Sequence, residues 1–272
     1  LNELIFAFHS NIPFQNITLL AKDPGTQAVP ELTEIKSNGL KGIGGLCYCN
    51  NVFFCHLLGS LGYHTHLIAG TCNPKHPLNH VAILVQDIVV NGDNYLVDVS
   101  CGYPTYQAVF LNCEKISRSY KNVFLEYRFA YIGDGVYERQ HKKEFRSGNL
   151  KRTDVEWECY YTFSIVPRDP EYFHSSMKEV YEDRMLRKIK AITFTKSDVT
   201  AVKENKESAL FIYLTKTGNM QNFLDTDARL VKAIEQQLPQ INLEIIKKAV
   251  ENWNDFKTQW IQMKLNELDL CR

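Results

Sequence analysis

Gly42-Ile43-Gly44-Gly45-Leu46-Cys47-Tyr48-Cys49-Asn50-Asn51 runs directly into an apolar stretch with helical spacing. A cysteine in the first turn of a helix sees the positive end of the helix dipole and backbone N–H groups that lack an intrahelical acceptor. Both favour the thiolate, and the same N–H groups can stabilise an oxyanion. Gly44-Gly45 further lets the backbone approach a ligand closely. A lone cysteine in such a place is more often a buried apolar residue, so a catalytic reading needs a base and an acid from elsewhere in the chain.

Two downstream segments supply them. His80 opens the apolar stretch Val81-Ala82-Ile83-Leu84-Val85, and Asp98 lies in the strand-like Tyr95-Leu96-Val97-Asp98-Val99. His80 alone would be a structural histidine at a strand start. Asp98 is harder to dismiss, because an isolated charge inside an apolar strand is costly and must find a partner. Asn91-Gly92-Asp93-Asn94 reads as a hairpin turn that makes the two runs adjacent strands and brings His80 toward Asp98. A thiol needs a base, and that base needs an acceptor to set its tautomer and stabilise its cation. Cys47, His80 and Asp98 therefore read as nucleophile, base and orienting acid of an acyl-transfer enzyme.

Working outward, residues 1–9 have helical spacing, Pro13 forces an extended Ile12–Ile17, and Asp23–Pro30 reads as loop before a short helix at Glu31–Ser37. The spacing predicts a helix over Leu46–Leu61 with Val52, Phe53, Leu57, Leu58 and Leu61 facing the core and Gly62 just past its end. Strands follow at His64–Thr71, Val81–Val90 and Tyr95–Val99. A hairpin, Val123–Tyr131 with Val136–Phe145, turns at Gly133-Asp134-Gly135, and Trp157–Val166 is a strand stopping before Pro167. A helix at Pro170–Tyr181, strands at Ala191–Thr195 and Ala209–Thr215, and helices at Asp227–Gln237 and Leu243–Lys264 complete the pattern. No βαβ alternation with a glycine-rich turn occurs, which argues against a dinucleotide-binding fold.

Composition narrows the function. Lys plus Arg (31) equals Asp plus Glu (31), so no overall field draws nucleic acid or an acidic membrane. No stretch approaches the roughly 20 apolar residues of a membrane span. Leu1-Asn2-Glu3-Leu4 carries no secretory signal and no initiator Met, as in a trimmed chain. The eight cysteines, Cys47, Cys49, Cys55, Cys72, Cys101, Cys113, Cys159 and Cys271, are expected to be reduced thiols of a cytoplasmic protein.

The segment Ile43–Asn51 resembles the active-site motif of the arylamine N-acetyltransferase family, Arg-Gly-Gly-x-Cys followed by an aromatic or apolar residue, Glu or Gln, any residue, and Asn. Pro13-Phe14-Gln15-Asn16 is similar to the family's Pro-Phe-Glu-Asn, and the segments of His80 and Asp98 match those of its base and acid. Tyr161-Thr162-Phe163 with Pro167-Arg168, and Ala209-Leu210-Phe211 through Leu224-Asp225, extend the likeness over about residues 9 to 245. The resemblance implies an α+β multidomain fold with a cysteine-protease-like catalytic core. Its parts would be an N-terminal helical bundle (1–62) carrying Cys47, a central antiparallel β-barrel (63–168) carrying His80 and Asp98, and a C-terminal α/β lid (169–272). It implies ping-pong transfer from acetyl-CoA, as co-substrate, to a small-molecule arylamine or hydrazine, with no metal. Phe14, Cys72, Cys101 and Gly102 would line the substrate site.

Four departures stand out. Ile43 replaces the motif's Arg and Gln15 its Glu, a coherent double loss if the two pair, since losing one would strand a buried charge. Cys49 replaces Glu or Gln, and Ser100-Cys101-Gly102 stands where Gly-Phe-Gly is usual. Cys72 and Cys101, in place of bulkier residues, predict a wider acceptor pocket. Either is the expected partner if Cys47 oxidises, because Cys49, two residues along the helix, points to a different face. The same triad would also serve an amide-forming or thioester-hydrolysing enzyme with another acyl donor. A metal-binding module built on Cys47, Cys49, Cys72, His76 and His80 is a further alternative, although the spacing contains no compact Cys-x-x-Cys pair. The acceptor amine, the acyl chain and the oligomeric state stay open.

Overall fold

The computed structural model describes residues 1–113, 115–122, 125–142, 156–195, 198–204, 209–214 and 219–270. Four N-terminal helices, α1 (Asn2–Asn11), α2 (Ile17–Leu20), α3 (Leu32–Leu40) and α4 (Cys47–Ser60), are interrupted by a two-residue strand, β1 (Phe14–Gln15). The α4 helix closes where the sequence places its end, with Gly62 N–H on Gly59 O and Tyr63 N–H on Leu58 O. Its buried face differs from the expected one. Val52, Phe54 and Leu58 are buried, Phe53 and Leu57 only half-buried, and Leu61 is 55% exposed. The first turn is enclosed on every side, Asn50 and Asn51 included, so apolar spacing does not mark its contact face.

Eight antiparallel strands follow: β2 (His64–Thr71), β3 (His80–Gln86), β4 (Asn94–Val97), β5 (Val109–Phe110), β6 (Tyr120–Lys121), β7 (Glu126–Gly133), β8 (Val136–Lys142) and β9 (Trp157–Arg168). Their order, β5-β4-β3-β2-β9-β8-β7-β6, forms a sheet curled into a half-barrel. The β3 strand is buried on both faces, hence its unbroken apolar run. Ala82 and Leu84 pack with Ile68, Phe129 and Phe163 inside the curl. Ile83 and Val85 pack outward on Phe8 of α1 and on Phe54 and Leu58 of α4.

Two strand ends differ from expectation. The strand expected over Val81–Val90 stops at Gln86. The Asp93 carboxylate gathers the N–H groups of Ile88, Val89 and Val90 at 2.8, 2.9 and 3.1 Å, drawing the chain out of the ladder. Conversely, β9 continues through Pro167, which lies opposite Ile68 beyond a register shift in β2, where the missing N–H is tolerated. Residues 123–124, 143–145 and 215, at the ends of three expected strands, and Cys271 lie outside the described residues.

Beyond β9, a 3₁₀ turn (Pro170–Phe173), α5 (His174–Glu179) and a π turn (Val180–Arg184) lead into β10 (Lys190–Phe194), β11 (Val199–Glu204), β12 (Ala209–Leu214) and β13 (Asn219–Leu224). The β11 and β13 strands were not foreseen. Neither β11 (Val-Thr-Ala-Val-Lys-Glu) nor β13 (Asn-Met-Gln-Asn-Phe-Leu) sustains the apolar alternation of a half-buried strand. N-terminal β1 completes this second sheet by pairing with β10, Phe14 opposite Ile192. Helices α6 (Asp227–Gln237) and α7 (Leu243–Leu270) end the chain, α7 docking on α2 through Asn252 Nδ2 to Leu20 O at 2.7 Å. Among the described residues, no helix is long and apolar enough to cross a membrane.

Candidate active site

Cys47 is the first residue of α4 and 8% exposed, and no side chain caps the helix. The preceding glycines serve the fold rather than a ligand, which corrects the expectation from sequence. Gly44 has φ +68°, and a Cβ there would overlap Pro13 O; one on Gly45 would lie 2.6 Å from Cys49 Cβ. Pro13 and Cys49 take their room, and Gln15 N–H of β1 donates to Gly45 O at 3.1 Å. The Gln15 side chain is buried and donates to Thr18 Oγ1 at 3.0 Å, with Ile43 O at 3.4 Å. Gln15 is thus a neutral amide held by a hydroxyl and a backbone carbonyl, with no charge to be stranded.

Strand pairing brings base and acid together. Ile83 lies opposite Val97, so in the continued register Asp98 falls opposite Ala82, two residues from His80 and on the same face. On the other flank His80 pairs with Gly70. A Cβ at Gly70 would sit 3.3 Å from His80 Cδ2 and 3.1 Å from Thr162 O, so glycine gives the imidazole its seat. His80 is 2% exposed and Asp98 0%.

Asp98 receives four hydrogen bonds. Oδ2 accepts from His80 Nε2 at 2.9 Å and Tyr161 Oη at 2.8 Å; Oδ1 accepts from Asn51 Nδ2 and Ser100 N, each at 3.1 Å. An ionised carboxylate only accepts, so the His80 proton is on Nε2. That leaves Nδ1 for the Cys47 thiol, whose interaction with the ring adds to the factors that raise the His80 pKa. Burial works against charge on both partners and is outweighed. Burial lowers the His80 pKa, but the Asp98 charge and hydrogen bond carry it well above the usual histidine value. Burial raises that of Asp98, but the charges of His80 and Arg139 and the hydrogen bonds hold it well below the carboxylate range. A thiol, an imidazole with a free lone pair, and a fixed carboxylate behind it can make and break a thioester.

The remaining expected site residues are less tightly gathered. Cys72 follows β2 on the face of Gly70 and His80 and is exposed. Phe14 lies partly buried between two core clusters. Gly102 sits in a turn at φ +80°. Cys101 does not form an open pocket wall: its Sγ donates to Tyr103 O at 2.9 Å and accepts from Arg139 Nη1 at 2.7 Å. Cys49 faces Tyr181 Oη at 3.2 Å, and His76 pairs with Glu179 at 2.6 Å. Cys49 and His76 of the metal alternative thus have other partners, and among the described residues no group of three or more His, Cys, Asp or Glu is placed to hold a metal.

Sequence reading missed the supports. Asn51 donates to Val81 O at 2.8 Å as well as to Asp98, and its oxygen accepts from Val99 N at 3.0 Å. Asn50 ties Pro13 O to Ser100 Oγ, each at 3.1 Å. Two asparagines beside a helix-starting cysteine were the available signal, since buried amides need partners. Tyr161 stood out only as part of a family-like segment, and for Arg139 the sequence held no signal.

A model of the N-acetyltransferase family matches residues 1–249. No curated protein matches the sequence significantly. The fold is similar to that of solved arylamine N-acetyltransferases. The Mycobacterium smegmatis enzyme is 18% identical (TM-score 0.70, covering 93% of this chain and 91% of that one). The Mycobacterium marinum enzyme, described in complex with CoA, is 18% identical (TM-score 0.70, 91% and 90%). A Bacillus cereus enzyme described as having a Cys-His-Glu catalytic triad is 17% identical (TM-score 0.66, 88% and 89%).

Proposed function

The chain belongs to the N-acetyltransferase family, and on that premise we propose that it moves an acetyl group from acetyl-CoA to an arylamine or hydrazine through an acetyl-Cys47 intermediate. The observation that supports this is the His80 Nε2–Asp98 Oδ2 bond at 2.9 Å, which leaves Nδ1 for the Cys47 thiol that interacts with the ring. His80 Nδ1 takes the thiol proton as sulfur attacks the thioester carbonyl, and the carbonyl oxygen becomes an oxyanion beside the first N–H groups of α4. The carbon–sulfur bond to CoA breaks, and the proton leaves with the CoA thiol. An amine then attacks the acetyl carbonyl, His80 accepts the amine proton, and Cys47 departs to complete the cycle. The fold relative described with CoA supports that donor.

Incubation with acetyl-CoA should add one acetyl group to the peptide containing Cys47 and none to a Cys47→Ala variant. Adding an arylamine should release it as the amide, with parallel-line kinetics. CoA release at the same rate without amine would favour a thioester hydrolase. Undiminished labelling of Cys47→Ala would sink the assignment.

A further inference from the structure

Among the described residues, Arg139 is the only buried arginine or lysine, and it is 0% exposed. It lies on β8 with no carboxylate against it. Nη1 donates to Cys101 Sγ at 2.7 Å and Thr105 Oγ1 at 2.9 Å, while Nε and Nη2 have no hydrogen-bond partner. Tyrosine rings surround the guanidinium, with centroids at 4.7 Å (Tyr127), 5.7 Å (Tyr160) and 6.0 Å (Tyr161). Unpaired buried charge is expensive, so its retention calls for an electrical reason. No solvent reaches it, so it acts through its field rather than by direct contact with a substrate.

Tyr161 links it to the site. The face of this ring looks toward the guanidinium, and its hydroxyl donates to Asp98 Oδ2 at 2.8 Å. Asp98 is the one fully buried carboxylate among the described residues. We propose that Arg139 is a positioning residue for the triad, whose buried positive charge balances Asp98 and makes the Cys47–His80–Asp98 set electrically neutral in both halves of the reaction. This rests on the acyl-transfer reading. With Cys47 as thiolate and His80 as imidazolium, two negative charges face two positive ones. In the acetyl-enzyme, with His80 neutral, Asp98 and Arg139 remain as one of each. Without Arg139 both states carry an uncompensated negative charge in a dry interior.

Most other titratable groups at the site are neutral near pH 7. Burial holds His9 of α1, which accepts from Thr105 N, down to about 4. It pushes Cys101 and Tyr127 up to about 12 and Cys49 up to about 11. It also raises Tyr160, Tyr161 and Cys72. His141, stacked on Tyr160 at 4.3 Å, is the remaining neighbour.

The test compares wild type with Arg139→Met, which removes the charge, and Cys101→Asp, which keeps the arginine but gives it a partner. Losing the free positive charge favours imidazolium, so the half-maximal pH of the amine half-reaction should rise by about one unit in both. Alkylation of Cys47 by iodoacetamide at pH 6 should fall about tenfold, and Arg139→Lys should restore most of both. Circular dichroism and melting confirm that the variants are folded. A folded variant with the wild-type profile overturns the proposal, as does an equal shift from His141→Gln. Failure of both variants to fold also overturns it, because Arg139 would then serve the fold. Failure of the underlying reading would appear instead in the wild type, as Cys47 that takes no acetyl group.

Discussion

Asn51 and Asp98, 47 positions apart in the chain, are joined by a hydrogen bond of 3.1 Å from the amide nitrogen to Oδ1. Asn51 lies one turn along the helix that begins at Cys47, so this bond ties that helix to the strand end that carries Asp98. Its oxygen also holds Val99 N, and its nitrogen Val81 O.

Asn51→Leu removes three buried hydrogen bonds and leaves their partners unpaired. It should cost about 2 kcal/mol or more in stability, measured by urea denaturation. Turnover should fall roughly 10- to 100-fold, because small misplacements of the reacting groups are expensive. Wild-type turnover in a folded variant would show that the bond does not position Asp98.

Gly70→Ala places a methyl group 3.3 Å from the His80 ring and 3.1 Å from Thr162 O. The imidazole is the movable neighbour. Turnover should fall about tenfold while the melting temperature changes little. Gly59→Ala, whose Cβ meets Thr65 Oγ1 at 3.4 Å on the far end of α4, should leave turnover unchanged. Equal activities in the two variants would remove Gly70 from the site.

Buried His9 has its pKa lowered from 6.5 to about 4, first by burial. The unfolded chain therefore binds a proton that the folded chain refuses. Stability from this residue is complete above pH 6.5 and lost as pH falls toward 4, by up to about 3 kcal/mol. His80 acts in the other direction and in another window. Its raised pKa supplies stability that is complete below 6.5 and declines as pH rises toward the folded value. Urea midpoints between pH 6.5 and 4 should fall steeply in wild type and less in His9→Gln. Equal slopes would contradict this assignment.

Oxidation should join Cys47 to Cys72 and not to Cys101. Cys72 is exposed on the His80 face of the sheet, whereas Cys101 is turned onto Arg139. Peroxide converts the Cys47 thiolate to sulfenic acid, and Cys72 then displaces water to form a disulfide. Though its surface is open, crowding by surrounding protein atoms desolvates the Cys72 thiol and raises its pKa, so linkage should speed up as pH rises. Non-reducing peptide maps check the pairing. A Cys47–Cys101 link, or reversible inactivation with no link, would contradict it.

Local chemistry made much of the frame legible in the sequence. Gly62 after an apolar helix, Asn91-Gly92 between two apolar runs, and proline after Ile12 each act over a few residues, and their elements appear close to where they were expected. The triad was readable for the same reason. A buried aspartate cannot stand alone, and the hairpin that makes β3 and β4 neighbours supplies its histidine. The sequence did not disclose what long-range packing decides. Gly44 and Gly45 look like ligand-facing glycines until Pro13 and Cys49 are seen to fill their space. Cys101 looks like a pocket wall until Arg139, 38 residues on, is found against its sulfur. Asn51, Tyr161 and Arg139 come from a helix and two strands that meet only when the sheet curls and α4 packs against it. Which buried donor finds which acceptor is set by that three-dimensional closure, and residue spacing along the chain carries no record of it.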